Sequence, residues 1–169
     1  MRIDHNEIEI RELKAEEISI YVDFQNRVKM SMQNPEWLGD ISEEIYIDLL
    51  RSGSKIYLWI YQNKIIASGM LIPATKKDLE NFFSSDLNSE KVIDFGPQMV
   101  DPEYIGNGLQ NVIIKYLECV ALELGFKYGI TTIHPDNIFS IRNFSKNSFK
   151  EIGEVSLKRG NRKVYRKIL

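Results

Sequence analysis

The sequence predicts a mixed α/β fold in which a sheet of about six or seven strands is combined with helices. Two observations lead to this class. Several short runs of β-branched and aromatic residues are separated by turn residues along the chain. In contrast, the segment 109–124 repeats its apolar residues at steps of three and four, as a helix does. Strand-like runs flank this helix on both sides, and such a unit with short connections requires parallel strands.

Composition narrows the classes of protein that need to be considered. The 169 residues are enough for one core, so residues 1–169 are expected to form a single domain. A net charge of -2 argues against a dedicated nucleic-acid-binding protein. The N-terminus is polar, no run is apolar enough to cross a membrane, and Cys119 is the only cysteine. These features predict a cytoplasmic protein without a membrane or nucleic-acid partner.

Turn and capping residues set the expected element boundaries. Asn34-Pro35 should end the first helix, because the residue before proline disfavours helical geometry. Asp40 or Ser42 can cap the second helix, Gln62-Asn63 is a turn-compatible pair between two strands, and Gly125 can close the long helix. The predicted elements are strand 8–13, helix 14–32, a helix from 40 or 42 to 51, strands 55–60 and 64–72, a short helix 78–83, strand 91–100, helix 109–124, strand 128–133, helix 138–146, and strands 149–157 and 163–168.

The segment from Val100 to Gln110 lies between a strand and the most regular helix, and it contains Gly106 and Gly108. Glycines let the backbone approach an anion closely, and the free amides at a helix start attract negative charge. An isolated glycine pair can equally form an ordinary tight turn. From the residues alone, both interpretations remain open.

This segment resembles the phosphate loop of the GCN5-related N-acetyltransferase (GNAT) family. Val100-Asp101-Pro102 is similar to the end of that family's central strand, and Gly108 stands at its central glycine. Ile105 occupies a position where Arg or Gln is usual, and Gln110 occupies a position where a small residue is usual. That family binds pyrophosphate largely through backbone amides, which both residues retain.

A second resemblance lies downstream, in the stretch from His134 to Phe149. Asn137 and Phe149 match the family's next block, whereas Phe144 replaces a frequent tyrosine and Ser148 a glycine. The resemblance implies the GNAT-like acyl-CoA N-acyltransferase fold, with a mixed, mainly antiparallel central sheet flanked by helices. It also implies that an acetyl group passes from acetyl-CoA to a primary amine of a small molecule or peptide, by direct attack in a ternary complex.

The resemblance also implies a set of residues for the acetyl-CoA site, with no metal. The implied cofactor-binding residues are Met99, Val100, Ile105, Gly106, Asn107, Gly108, Leu109, Gln110, Asn137 and Phe144. Among these, a backbone amide near Met99 or Val100 would hold the thioester oxygen. Asn137 could contact the pantetheine arm, cap its helix, or do both.

Asp94 is the candidate catalytic residue, because it stands where histone-acetylating members of the family have a carboxylate base. A carboxylate or its water can take a proton near neutral pH if burial raises its pKa. A solvated aspartate at the start of a strand is an equally simple interpretation. Phe144 has no proton for the departing thiolate, which leaves Ser140, Ser145 and Tyr104 as candidate substitutes.

The acceptor is expected between the first two helices and the C-terminal strands, as the family architecture implies. Candidate lining residues are Gln25, Met30, Glu36 and Trp37, and the carboxylate of Glu36 would suit a cationic amine. Cys119 lies among the apolar residues of the long helix and is expected in the core.

Three functions remain open at this level. The first is acetyl transfer to an amine. The second is a non-catalytic acetyl-CoA-binding sensor or regulatory module, suggested by Ile105 and Phe144. The third is an interaction domain whose glycine loop binds nothing. The sequence also leaves open whether the chain forms a homodimer.

Overall fold

A computed structural model describes residues 2–169 as one mixed sheet with helices on both faces. The seven strands lie in the order β1-β2-β3-β4-β5-β7-β6. The strands are β1 (Glu9–Glu12), β2 (Lys55–Tyr61), β3 (Lys64–Pro73), β4 (Val92–Val100), β5 (Tyr128–Ile133), β6 (Lys150–Leu157) and β7 (Gly160–Ile168). The helices are α1 (Ile18–Ser31), α2 (Glu43–Arg51), α3 (Lys76–Asn81), α4 (Leu109–Glu123) and α5 (Ile138–Lys146). In the part of the chain covered by residues 2–169, no helix is both long and apolar enough to cross a bilayer.

The strand pairing confirms the predicted mixture of directions. The pair β4–β5 is parallel and is joined through α4, whereas the other neighbouring pairs are antiparallel. The first helix begins later than the sequence predicted, at Ile18 instead of about Lys14. A short 3-10 turn precedes it. In this turn the Glu17 carboxylate accepts hydrogen bonds from the Lys14 amide, at 3.0 Å, and from both terminal nitrogens of Arg11.

Alternation along β2 gives the sheet two buried faces. Tyr57, Trp59 and Tyr61 pack in one core cluster with residues of α4 and α5. Ile56 and Leu58 pack in the other with residues of α1 and α2. A strand that is buried on both faces has no solvent-facing positions for polar side chains. This explains why the residues of β2 are almost all apolar.

Helix α4 packs on the sheet through residues spaced at steps of four. Leu109, Ile113, Leu117 and Ala121 are all buried. Cys119 is exposed, so its predicted place in the core is wrong. It follows Leu117 by two residues, which places it about 200° around the helix from that buried side chain. Apolar residues occupy more of this helix than its buried face requires.

Strands β4 and β5 separate after a short paired stretch. Their parallel register runs from Val92↔Tyr128 to Asp94↔Ile130. The Thr131 hydroxyl then donates to the Phe95 carbonyl at 2.8 Å. Beyond this point β4 continues beside β3, and β5 continues beside β7. The sheet is therefore split at the carboxyl ends of its two central strands.

A bulge in β4 lies next to the split. Gly69 pairs with Gln98 and Leu71 with Phe95, so two β4 residues, Gly96 and Pro97, oppose a single residue of β3. Bulges bend a strand and redirect its side chains, and they are frequent beside functional sites. The bulge thus bends β4 where it leaves β5.

Asp101 anchors the chain where β4 ends and the glycine loop begins. Its buried carboxylate accepts from Arg27 Nε at 3.2 Å and Nη2 at 3.0 Å, and from the Glu103 amide at 3.0 Å. Lys64 Nζ lies 3.4 Å away. The Asp101 amide donates to the Ile66 carbonyl at 2.8 Å. One residue thereby attaches the loop to both α1 and β3.

This anchor predicts a measurable loss of stability. Replacing Asp101 with alanine should lower the free energy of unfolding by about 2 kcal/mol, because charge-assisted hydrogen bonds of a buried carboxylate are lost. Asp86→Ala is the matched control, since its exposed carboxylate pairs with Arg166 and should be worth less than about 1 kcal/mol. Urea unfolding followed by circular dichroism measures both variants. Equal losses would contradict the anchoring role of Asp101.

Candidate active site

The glycine loop presents backbone amides to open space. Gly106 and Gly108 have φ of 91° and 71°, and a Cβ on either would meet nothing within 4 Å. The Asn111 and Val112 amides donate to the Gly108 carbonyl at 3.1 and 3.3 Å. Within residues 2–169, the Leu109 and Gln110 amides have no such acceptor. Unpaired amides at the start of a helix are a site for an anion.

The N-terminal segment holds the outer side of this loop. The Ile3 amide donates to Asn107 Oδ1 at 3.3 Å, and His5 Nε2 lies 3.0 Å from the Asn107 carbonyl oxygen. Asn107 Nδ2 donates to the Tyr104 carbonyl at 2.9 Å. The Asn107 side chain is therefore engaged within the protein. Ile105 is 69% exposed, which leaves its side chain outside the apolar core.

Gln110 has a role that the sequence comparison did not indicate. Its Nε2 donates to Ser140 Oγ at 2.9 Å, and its Oε1 accepts from Asn143 Nδ2 at 2.7 Å. The side chain thus links α4 to α5. This link gives a physical reason for a long amide side chain at a position where the resemblance leads one to expect a small residue.

A cavity of about 240 Å³ occupies the split between β4 and β5. The α1–α2 loop, α5 and the β6–β7 turn also contribute residues to its lining. Of the residues singled out from the sequence, the cavity brings together Asp94, Gln110, Asn137, Ser140, Phe144 and Trp37.

Met99 and Val100 lie outside this cavity. The β4 wall consists of residues 94–98, whereas Met99 is buried in the cluster on the α1–α2 side of the sheet. Both residues are paired with β3. The bulge at Gly96 and Pro97 accounts for the difference, because it inserts an extra residue into β4 before these positions.

Asp94 is the last β4 residue in register with β5, and it is half-buried in the cavity wall. Burial raises the pKa of its carboxyl group to about 7, and the negative charge of Asp78 acts in the same direction. Asp94 is therefore not a freely solvated aspartate. A group with this pKa is present in both protonation states near neutral pH and can accept a proton there.

Helix α5 contributes an amide, a hydroxyl and an aromatic ring to the cavity. Asn137 caps the helix, with its Oδ1 accepting from the Ser140 amide at 3.1 Å, and it also lines the cavity. The buried Phe144 ring contacts Phe149 edge-on, with ring centroids 5.0 Å apart. Of the three hydroxyls considered as proton donors, Ser140 lines the cavity, whereas Ser145 is exposed elsewhere. The third, Tyr104, is buried beside Tyr61.

Of the four residues expected to line the acceptor site, only Trp37 lines this cavity. Trp37 lines the cavity, and its buried Nε1 has no acceptor among residues 2–169. Gln25 is buried in the core, where its Nε2 donates to the Ile41 carbonyl at 3.0 Å. The side chains of Met30 and Glu36 are exposed outside the cavity. The carboxylate of Glu36 therefore does not line this cavity.

Several polar residues of the cavity were not predicted from the sequence. Arg159 and Arg162, from the β6–β7 turn and the start of β7, both line it. Gln98 also lines it, and neither atom of its amide group has a partner in the part of the chain described. The cluster of basic residues between the two predicted C-terminal strands was the available indication.

Within residues 2–169, no group of three or more histidine, cysteine or acidic side chains is arranged to hold a metal.

The raised pKa of Asp94 predicts a pH-dependent stability difference. Ionising this carboxylate in the folded protein is unfavourable, so wild-type stability should fall as pH rises from about 4 to about 7. Asp94→Asn cannot ionise. The variant should therefore gain stability relative to wild type across this interval, and the gain should level off at higher pH. Urea unfolding at several pH values measures the difference, and a gain independent of pH would contradict the assignment.

Comparison with known proteins identifies the fold. No protein-family model matches the sequence, and no curated protein matches it. Solved structures do match. An N-acetyltransferase from Staphylococcus aureus Mu50 is 14% identical, with a TM-score of 0.74 over 95% of this chain and 98% of its own. A GNAT-family acetyltransferase from Streptococcus pneumoniae is 19% identical, with a TM-score of 0.74 over 96% and 99% of the two chains.

A third structure contains bound ligands. It is an aminoglycoside acetyltransferase, AAC(6')-Ib, in complex with coenzyme A and kanamycin. It is 16% identical to this chain, with a TM-score of 0.74 over 95% of this chain and 94% of its own. In all three comparisons the matched region covers nearly the whole chain, although the sequence identity is low. The chain therefore has the fold of the GNAT N-acetyltransferases.

Proposed function

We propose that this protein is an acetyl-CoA-dependent N-acetyltransferase that acetylates a primary amine. The observation that carries the proposal is the cavity in the split sheet, which adjoins the glycine loop at Gln110 and is lined by the carboxyl group of Asp94. The fold shared with acetyltransferases of known structure supports it. An anion site, an open strand edge and a group that accepts protons are thus combined in one place.

The glycine loop fits the pyrophosphate of acetyl-CoA. Positive φ at Gly106 and Gly108 turns the backbone without a side chain in the way, and the Leu109 and Gln110 amides remain available at the start of α4. The positive end of the helix dipole favours the same anion. Ile105 keeps its own backbone amide, so its apolar side chain does not prevent binding in this mode.

The split strands fit the pantetheine arm. Beyond Asp94, the edges of β4 and β5 that face each other are no longer paired to one another. An extended ligand with amide groups can bind to such an edge as an additional strand does. Asn137 and the Phe144 ring, which line the cavity from α5, would flank this arm.

Acetyl-CoA supplies an activated thioester: the neutral amine attacks its carbonyl carbon, the C–N bond forms, the C–S bond breaks, and an amide and the CoA thiol result. Asp94, with a pKa near 7, accepts the proton that the amine loses, directly or through water. Ser140 carries the one hydroxyl of the three considered that lines the cavity. Water can also protonate the departing sulfur, because a thiol has a reference pKa of about 8.5.

Gly108→Val tests the cosubstrate site, with Gly125→Val as its matched control. Both glycines have positive φ and open space around a Cβ, so both variants should lose similar stability. Only the side chain introduced at position 108 would cover the anion site. We expect acetyl-CoA to bind at least about tenfold more weakly to Gly108→Val and unchanged to Gly125→Val by isothermal titration. Equal affinities in the two folded variants would place the site elsewhere.

The function itself is tested by release of the CoA thiol in a screen of primary amines. We expect turnover whose rate rises with pH through an ionisation near pH 7, where Asp94 loses its proton, and rises further at higher pH as the amine itself becomes neutral. In Asp94→Asn the ionisation near pH 7 should be lost and the rate above it should be about 100-fold to 10,000-fold lower, with acetyl-CoA binding unchanged. Binding of acetyl-CoA without turnover on any amine would support a sensor instead, and no binding at all would contradict the proposal.

A further inference from the structure

Arg162 is a buried cation in the wall of the cavity. The residue is 3% exposed. Its Nη1 donates to the carbonyls of Arg159 and Asn161, both at 2.9 Å, and its Nη2 donates to the Glu36 carbonyl at 2.8 Å. These bonds fix the guanidinium between the β6–β7 turn and the α1–α2 loop. A buried side chain held in this way is positioned before any ligand binds.

The charge of Arg162 has no close counter-ion. Within residues 2–169, no carboxylate lies within 4.0 Å of Arg162 or of Arg159, whereas Arg27 and Arg166 each have a carboxylate partner at 3.0 Å. Burial lowers the pKa of Arg162, and the charge of Arg159 lowers it further, against a smaller opposite effect of Glu36. Burying an unpaired charge is costly unless a partner compensates for it.

Hydrogen-bond donors remain available at this end of the cavity. A guanidinium has five N–H donors, and the three bonds to carbonyls leave Nε and one donor of Nη2 without an acceptor within residues 2–169. Arg159 and the unpaired Nε1 of Trp37 line the same cavity. Such a set of donors matches a planar oxyanion, which an arginine binds through two parallel hydrogen bonds.

The position of these donors separates them from the acetyl-CoA phosphates. Arg162 is attached to the α1–α2 loop through Glu36, whereas the glycine loop is attached to α5 through Gln110 and Ser140. The arginines therefore belong to the acceptor half of the cavity. Apolar side chains of Met32, Leu38, Ile41 and Ile72 also line this cavity.

We propose that the acceptor is a small amine that also carries a carboxylate, as an amino acid does. The carboxylate would bind Arg162 and Arg159, and the amine would point towards Asp94 and the thioester. This proposal rests on the proposed acetyl transfer and adds the substrate class to it. A polycationic amine would instead be repelled by two arginines at that end.

Matched pairs of amines test the substrate class. α-Amino acids of increasing side-chain size and β-alanine are each compared with their own carboxamide, and putrescine represents the cationic amines. We expect kcat/KM to be about 10-fold to 100-fold higher for the acid of a pair, the usual effect of a charge-assisted pair of hydrogen bonds. The carboxamide has the less basic α-amine, so amine ionisation alone would favour the carboxamide. Equal rates within pairs, or a preference for putrescine, would overturn the proposal.

Two variants locate the effect, with a third as control. Arg159→Gln should reduce kcat/KM for the acid about tenfold or more, with a clearly smaller effect on its carboxamide and no change in acetyl-CoA binding. Lys158→Gln removes the charge of a neighbouring residue that does not line the cavity, so kcat/KM should stay the same for both the acid and its carboxamide. Arg162→Lys keeps the charge but loses the fork of donors and should also reduce the preference for the acid. A preference that survives in both arginine variants would overturn the proposal.

Direct binding separates this proposal from the enzymatic function. Isothermal titration of the preferred acid and its carboxamide into the acetyl-CoA-loaded protein, or into the free protein if acetyl-CoA does not bind, requires no turnover. Tighter binding of the acid in wild type, lost in Arg159→Gln, would support the carboxylate site even if no amine were acetylated. If amines were acetylated while neither the titrations nor the rates distinguished acid from carboxamide, acetyl transfer would stand and the carboxylate site would be wrong. If no acid bound in any titration, the carboxylate site would also be wrong.

Discussion

The separation of β4 from β5 after Asp94 is the constraint on which the rest of this structure depends. Two parallel strands at the centre of a sheet normally stay paired, but here the register ends at Asp94↔Ile130 and a bulge bends β4 away. The hydrogen bond from Thr131 to Phe95 closes the paired region. The proposed function depends on the resulting gap between β4 and β5. The cavity occupies this gap, and Asp94 lies where the two strands stop pairing. Helix α4 follows β4, one of the two strands that border the gap.

The two ends of the cavity carry opposite charges that are kept apart. The pKa of Asp94 is raised because its half-buried carboxyl group is desolvated in the cavity wall, and no cation lies within 4.0 Å of it in the part of the chain described. Arg162 is buried, and no carboxylate within residues 2–169 lies within 4.0 Å of it. A fold selected only for stability would pair such groups or expose them. Unpaired charges facing one cavity are costly in the free protein and become favourable when a ligand of complementary charge binds.

Local patterns in the sequence predicted the fold well, because strand alternation and helical spacing depend on near neighbours. The glycine loop and Asp94 could also be located, since each has a fixed place relative to the central strand and α4. Cys119 was misplaced because α4 has more apolar residues than its buried face uses. The sequence did not show that Gln25 and Glu36 lie outside the cavity or that Arg162 lines it, because which side chains meet around a cavity depends on contacts between distant segments, such as Arg162 with the carbonyl of Glu36.

The most direct test of the central claim is the amide NMR spectrum of the protein titrated with acetyl-CoA. If the split sheet and glycine loop form the cosubstrate site, the largest shifts should fall on the amides of Gly106, Gly108, Leu109 and Gln110, and on the β4 amides from Phe95 to Gln98. Hydrogen exchange of the same amides should slow in the complex. Shifts confined to another surface, or no saturable shifts at all, would contradict the account.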